Sequence, residues 1–428
     1  MANAKVEMGG AQNSPKGATL MTVSASPIAR DYVQLALAMG QHIPGYVDAY
    51  YGPPEWADQV KAKGIRPINE LVREASNLAA ALADDIKMDS QQHDFLTRQV
   101  RAMQTSLRIP QGEQFTLAEE AQALYDITPE WVDEAIFREA HRTLDELLPA
   151  GDSLMERMAT RRKATEVPLE RVGPLLHEII AELRRRTQAR FPLPSDESFE
   201  LQFVTDQPWR AYNWYLGHFR SRVDINTDLP LHITDLTNLI AHEGYPGHHT
   251  ELSIKESQLV CEQGRIEHCV VLINTPSCVV SEGIATRALS ILMTDEEQIA
   301  WHAEELFPRA GFSHLDACRE HTITANAADF GKLVGVGGNA AFLLHDQGAS
   351  EEEVVAYLRQ YRLLSVEEAR KWVDFLSNPL YRSYIFTYRY GGEMLDALFA
   401  TQDDRDPWFV RLLTEPVTPS QIRSWTEG

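Results

Sequence analysis

Cysteine is scarce in this chain, and so is positive charge. The four cysteines among 428 residues, Cys261, Cys269, Cys278 and Cys318, form no close CxxC pair of the kind a structural zinc knuckle needs. A chain of this length also needs no disulfide framework, and a reduced compartment fits. Lys and Arg number 40 against 62 Asp and Glu, giving a formal net charge of −22 spread along the sequence. That balance argues against nucleic acid and anionic membranes as partners. No apolar run approaches the roughly 20 residues that cross a bilayer, and the N-terminus has no basic segment followed by an apolar one. A soluble cytoplasmic protein is the expectation. Strand-like alternation is scarce as well; the best candidates are ESFELQFVT near 197–205 and FRSRVDINT at 219–227.

What is abundant is helical periodicity. With 44% hydrophobic residues the chain can bury a large core. Apolar residues recur at spacings of three and four in IARDYVQLALAMGQHI, INELVREASNLAAALADDI, HDFLTRQVRAMQTSL, LAEEAQALYDI, EWVDEAIFREAHRTLDELL and LERVGPLLHEIIAELRRRTQARF. Residues 1–26 are small and polar and read as a disordered tail. Residues 27–195 then form a helical N-terminal half and 196–428 a catalytic half, packed together as one large domain.

The chemistry concentrates in HEGYPGHH, residues 242–249. A helix over DLTNLIAHE, capped by Thr234 or Asp235, buries Leu236, Leu239 and Ile240 and ends on His242 and Glu243. In HExxH zinc hydrolases two histidines one turn apart bind the metal, and the glutamate between them takes a proton from water. Here the fifth position is Pro246. On a straight helix His249 would lie about 20° from His242 and His248 about 120° away. Pro246 breaks the helix and Gly244 and Gly247 permit unusual backbone angles, so a kink or bulge can turn His248 toward the metal instead. The second ligand is therefore His248 or His249.

A third ligand is expected on a neighbouring element. The helix predicted from Pro276 to Met293, capped by Asn274 or Thr275, carries only Glu282 and Arg287 as charged residues and is apolar nearly all round. A carboxylate buried there must be neutralised, paired or metal-bound.

HEGYPGHH followed by SEGIA resembles the bacterial family catalogued as domain of unknown function 885, grouped with the gluzincin zinc metallopeptidases. YNWYLGHFRSRVDINTDLP, LLHDQGASEEEVVAYL and TYRYGGEML extend the resemblance. It covers residues from about 200 onward well and the N-terminal helices loosely. It implies a mainly α, gluzincin-like fold with a small β-sheet beside the active-site helix. It further implies that His242, one of His248 and His249, and Glu282 hold Zn2+, with Glu243 as general base. One departure is Ile284, where related segments often carry tryptophan.

In NPLYRSYIFTYRYGGEML, Tyr381, Tyr384 and Tyr388 share a helical face, with Arg382 and Arg389 beside it. Tyr388 occupies the tyrosine position of the family-like YRYGG segment and is the expected oxyanion donor; Arg389 would hold a peptide carboxylate. Three other features read as structure. Gly335, Gly337 and Ala340 match G-x-G-x-x-A but lack the preceding strand of a dinucleotide site. Cys269 and Cys278 read as buried packing, and His345 as a core or capping histidine.

The reading is a zinc-dependent hydrolase, a metallopeptidase cleaving short peptides. A zinc hydrolase of non-peptide amides shares every metal residue. A non-catalytic metal-binding protein is the third reading, and Glu243 argues against it, since a structural site needs no base.

Overall fold

The computed structural model describes residues 26–207, 209–327 and 331–427. The tail expected at 1–26 falls, apart from Ser26, outside the described residues. Helices form where apolar spacing places them, at Pro27–Gly40, Ile68–Asp84, Ser90–Arg108, Leu117–Tyr125, Glu134–Leu147 and Leu169–Arg190. Several are started by capping side chains. Asp89 accepts from the backbone N–H groups of Gln91 and Gln92, and Thr116 with Glu119 forms a capping box.

Among the described residues, five short strands interrupt the helices: β1 (Val47–Tyr50), β2 (Ser198–Val204), β3 (Ala211–Gly217), β4 (Arg220–Asn226) and β5 (Val270–Leu272). β1 pairs antiparallel with β5, and a separate sheet runs β2-β4-β3 with β2 parallel and β3 antiparallel to β4. The fold is thus mainly α with a small sheet beside the histidine helix, as expected. β2 and β4 fall on the two predicted strands; β3 was not predicted. Its turn into β4 is pinned by Glu256, whose carboxylate accepts from the backbone N–H groups of His218 and Phe219 and from Tyr215 Oη.

Among the described residues, three hydrophobic clusters fill the interior, and each draws residues from both sides of position 195. One packs Leu176, Ile179 and Leu183 against Ile225, Ile240, Ile284 and Leu395. Within it the helix Pro276–Leu292 crosses the helix Ile385–Ala400. A Cβ on Gly283 would lie 2.7 Å from the Gly391 carbonyl oxygen, and one on Gly391 2.4 Å from that of Val279. Only glycine lets the two backbones touch, and that contact brings Glu282 under Tyr384. The G-x-G-x-x-A segment lies in the helix Gly335–His345, preceded by a 3-10 turn and not a strand. Its Gly335 and Gly337 pack against Val132 and Trp372.

Candidate metal centre

The helix Leu236–Glu243 ends at Gly244, and a new helix, His248–Lys255, begins four residues later. The break is built from backbone contacts that leave no room for side chains. Gly247 donates its N–H to the Ala241 carbonyl at 2.9 Å, and a Cβ there would fall 1.9 Å from the His242 carbonyl oxygen. Thr250 closes the turn from below, its Oγ1 donating to the Gly244 carbonyl at 3.1 Å. The outcome is a corner instead of a straight helix. It sets the His242 and His248 rings 4.8 Å apart and nearly perpendicular, at 89°.

Glu282 meets both rings from the crossing helix. Its Oε2 lies 3.4 Å from His242 Nε2 and its Oε1 3.7 Å from His248 Nε2. One donor atom from each of the three residues lies within 4.8 Å of the others.

The tautomer of His248 follows from its neighbours. Ser281 Oγ donates to Glu251 Oε2 at 2.5 Å, because a carboxylate only accepts. Ser281 Oγ therefore accepts from His248 Nδ1–H at 3.1 Å. That leaves the Nε2 lone pair facing Glu282. Glu251 is itself held by Lys255 Nζ at 2.6 Å. Burial depresses the basicity of both rings, with the repulsion of His248 added at His242, so both present neutral nitrogens.

His249 is committed elsewhere. Its Nε2 donates to Glu197 Oε2 at 2.8 Å, and its Nδ1 lies 2.8 Å from Ser221 Oγ. Burial holds this ring neutral too, so Nδ1 accepts the serine proton and neither nitrogen is left for a metal. Glu197 also accepts from Arg184 and Tyr245, forming a buried polar knot behind the corner.

Whether the group suits a cation is tested by its own chemistry. Burial pushes the Glu282 carboxyl well above its usual range, with Glu251 and Asp48 adding repulsion against the Tyr384 hydrogen bond that lowers it. Its Oε2 accepts no hydrogen bond. Two neutral imidazoles and one buried carboxylate with an unused oxygen form a donor set suited to Zn2+. Three donors about 2 Å from one ion stand within about 4 Å of one another, so the side chains need only close slightly.

Beside the donors lies a cavity of about 160 Å³, lined among others by Glu243, Asp48, Tyr212, Tyr381, Tyr384 and Tyr388. Glu243 is buried, and its carbonyl accepts from Asn213 Nδ2 of β3 at 2.7 Å. Burial raises its carboxyl, and Glu282 and Asp48 raise it further. Tyr384 Oη donates to Glu282 Oε1 at 2.5 Å, a contact the tyrosine spacing did not single out. Tyr388 lines the cavity edge-on to Tyr384, with ring centroids 5.7 Å apart. Arg389 is not brought to the cavity: its Nε donates to Glu393 at 2.7 Å and its guanidinium lies over Tyr390. Arg382 pairs with buried Glu120.

The other sequence candidates sit in structure. Cys278 lines the cavity, but burial pushes its thiol up to about 12 and its Sγ donates to the Leu272 carbonyl. Burial likewise raises Cys269. His345 Nε2 bonds the Leu376 carbonyl at 2.8 Å. Ser281, Glu251 and Asp48 are the site residues that sequence reasoning missed, and Tyr384 was placed on the tyrosine face without its bond to Glu282. Ser281 adjoins Glu282 and Glu251 follows His248 by one helical turn, so both carried a local signal. Asp48 carried none.

No protein-family model matches the chain, and no curated protein sequence matches it. The resemblance to domain of unknown function 885 therefore rests on the quoted motifs. Among solved structures, a "putative lipoprotein" of Colwellia psychrerythraea aligns with a TM-score of 0.51 at 14% identity. The alignment covers 87% of this chain and 70% of that one. A similarly named protein of unknown function from Shewanella oneidensis aligns at 0.48 and 11% identity, over 84% and 73%. Metallocarboxypeptidase 1 of Trypanosoma cruzi aligns at 0.44 and 13%, over 94% and 91%. These likenesses concern the fold.

The cytoplasmic location expected from the sequence is corrected by this comparison. The Colwellia neighbour is titled a "putative lipoprotein", a class held at a membrane by a lipid anchor, and the cytoplasmic placement is withdrawn. Among the described residues no helix is long and apolar enough to cross a membrane.

Proposed function

We propose that this chain is a zinc-dependent hydrolase, a metallopeptidase that cleaves short peptides. The observation that carries the reading is the convergence of His242, His248 and Glu282 beside a cavity that also holds Glu243. The motif resemblance to gluzincin-like peptidases points the same way.

His242, His248 and Glu282 would hold the ion. Bound there, zinc supplies Lewis-acid polarisation of a carbonyl and acidifies water. Glu243, next in sequence to His242, takes the proton of the attacking water and returns it to the leaving amine. Tyr388 directs its hydroxyl toward charge that develops on the former carbonyl oxygen, while Tyr384 stays occupied with Glu282. The apolar and aromatic walls exclude bulk water and strengthen each of these interactions. A cavity of about 160 Å³ takes a small group, which favours peptide ends over a folded protein chain.

Metal analysis of the chain purified without chelator, paired with a screen of dipeptides, oligopeptides and acylated amines, tests this. About one zinc per chain with cleavage of peptides is the expected result. A metal-bearing protein that cleaves only non-peptide amides would move the substrate class and leave the centre. A chain that takes up no divalent ion would overturn the reading.

A further inference from the structure

Asp48 is the one acidic side chain on the cavity wall that neither the metal centre nor its supports employ. It sits in β1 at a bulge: Val47 pairs with Leu272 and Ala49 with Val271, so Asp48 is the extra residue with no partner in β5. Bulges re-aim a side chain, and this one points a carboxylate at the cavity. Its hydrogen-bond partner is Tyr212 Oη, and among the described residues no Lys or Arg pairs with it. Around it the lining is aromatic. Trp209 lies 5.5 Å from the Tyr212 ring between centroids, and Phe375 stacks on Tyr381 at 5.0 Å.

The cavity wall carries more carboxyl groups than fixed cations. Its acidic lining residues are Asp48, Glu243, Glu251 and Glu282, and its fixed cation is Lys255, which Glu251 already binds. Glu282 belongs to the candidate metal centre, and Glu243 lines the cavity beside it. Asp48 alone is left, and burial raises its carboxyl to about 6 despite the Tyr212 hydrogen bond, as befits a carboxylate that lacks a counter-charge. An ammonium group satisfies such a position twice over, by ion pairing and by the faces of the surrounding rings.

We propose that Asp48, with Tyr212 and the aromatic wall, is the recognition site for a primary ammonium group on the substrate. The role as a substrate subsite rests on the hydrolase reading above; the affinity for an amine does not. In that setting the enzyme selects peptides that carry a free amino group close to the bond cleaved, and rejects those in which it is acylated.

The test is equilibrium binding of isoamylamine and of isoamyl alcohol to the full chain, read by calorimetry or by intrinsic tryptophan fluorescence. The two probes share a shape and differ in charge, and neither can be hydrolysed. At pH 7.5, the amine should bind at least about 10-fold tighter than the alcohol. Asp48→Asn should bring the two within about 2-fold while the affinity for the alcohol stays put. Asp48→Ala removes the carboxylate outright and serves as the second variant if Asp48→Asn folds poorly; it too should bring the two probes within about 2-fold. Equal binding of the probes by the unmodified chain, or a preference that survives in Asp48→Asn, overturns the proposal. Peptide cleavage is scored separately. Amine preference without cleavage of any peptide would sink the peptidase reading and leave the ammonium site standing.

Discussion

His248 and Ser281 meet through Nδ1 and Oγ at 3.1 Å, and the proton between them belongs to the histidine because Ser281 spends its own on Glu251. Ser281 thereby fixes which nitrogen of His248 can bind an ion. Ser281→Ala should lower metal affinity about 10- to 100-fold, as loss of an outer partner of a ligating histidine does. Competition against a chelator of known affinity measures it. An unchanged affinity would mean the ring is oriented by packing alone.

Glu282 and His249 should behave oppositely. Glu282→Ala removes one of three donors and should abolish stoichiometric metal. His249→Ala should keep the metal and lose stability by about 2–3 kcal/mol, because it strips a hydrogen bond from buried Glu197. Metal analysis with chemical denaturation separates the two, and metal loss in His249→Ala would contradict the ligand set drawn here.

Glu243→Gln preserves the volume of the side chain and leaves the donors in place. Metal content should stay near one per chain while kcat falls about 100- to 10,000-fold, since an amide cannot take the water proton. Near-normal turnover would transfer the role of base to another group.

Tyr384 and Tyr388 are edge-to-face neighbours, 5.7 Å between ring centroids, and the proposed mechanism gives them different tasks. Tyr384→Phe removes the hydrogen bond to Glu282 and should weaken metal binding. Tyr388→Phe should lower kcat about 10- to 1000-fold with little change in KM or metal content, the signature of a donor that acts in the transition state. If Tyr388→Phe changes only stability, its hydroxyl is packing.

The helices and the candidate metal residues were legible because their signals are local: spacing of three and four along the chain, and a His-Glu pair beside a glycine-proline break. What the chain could not show is how the break turns. The choice of His248 over His249 is made by Gly247 packing onto the His242 carbonyl and by Ser221 and Glu197, which arrive from other strands and loops. β3 escaped because its residue types run against its burial: Tyr212, Trp214 and Leu216 line the more exposed face, whereas Asn213 and Gly217 share the buried face with Tyr215. Tyrosine spacing gave the shared face but not which hydroxyl reaches Glu282. Asp48 depends on a bulge, a feature of pairing with β5 that no window of sequence contains.

The last prediction concerns the polar knot behind the centre. Burial alone would raise the Glu197 carboxyl, but donors from His249, Tyr245 and Arg184 outweigh it and hold the group below its ordinary 4.5. A carboxylate whose folded pKa is depressed binds its proton more readily once unfolded, so its contribution is complete above about 4.5 and fades as pH falls through the folded value. Glu197→Gln keeps the shape and one acceptor oxygen but gives up the charge that Arg184 and Tyr245 address. At pH 7 it should cost about 2–3 kcal/mol of unfolding free energy, the range for hydrogen bonds to a charged group. Urea titrations of both proteins at pH 7, 5 and 3.5 should show the gap intact at 7 and 5 and narrowed at 3.5. A gap that does not change with pH would mean that the knot stabilises through packing and not through the charge on Glu197.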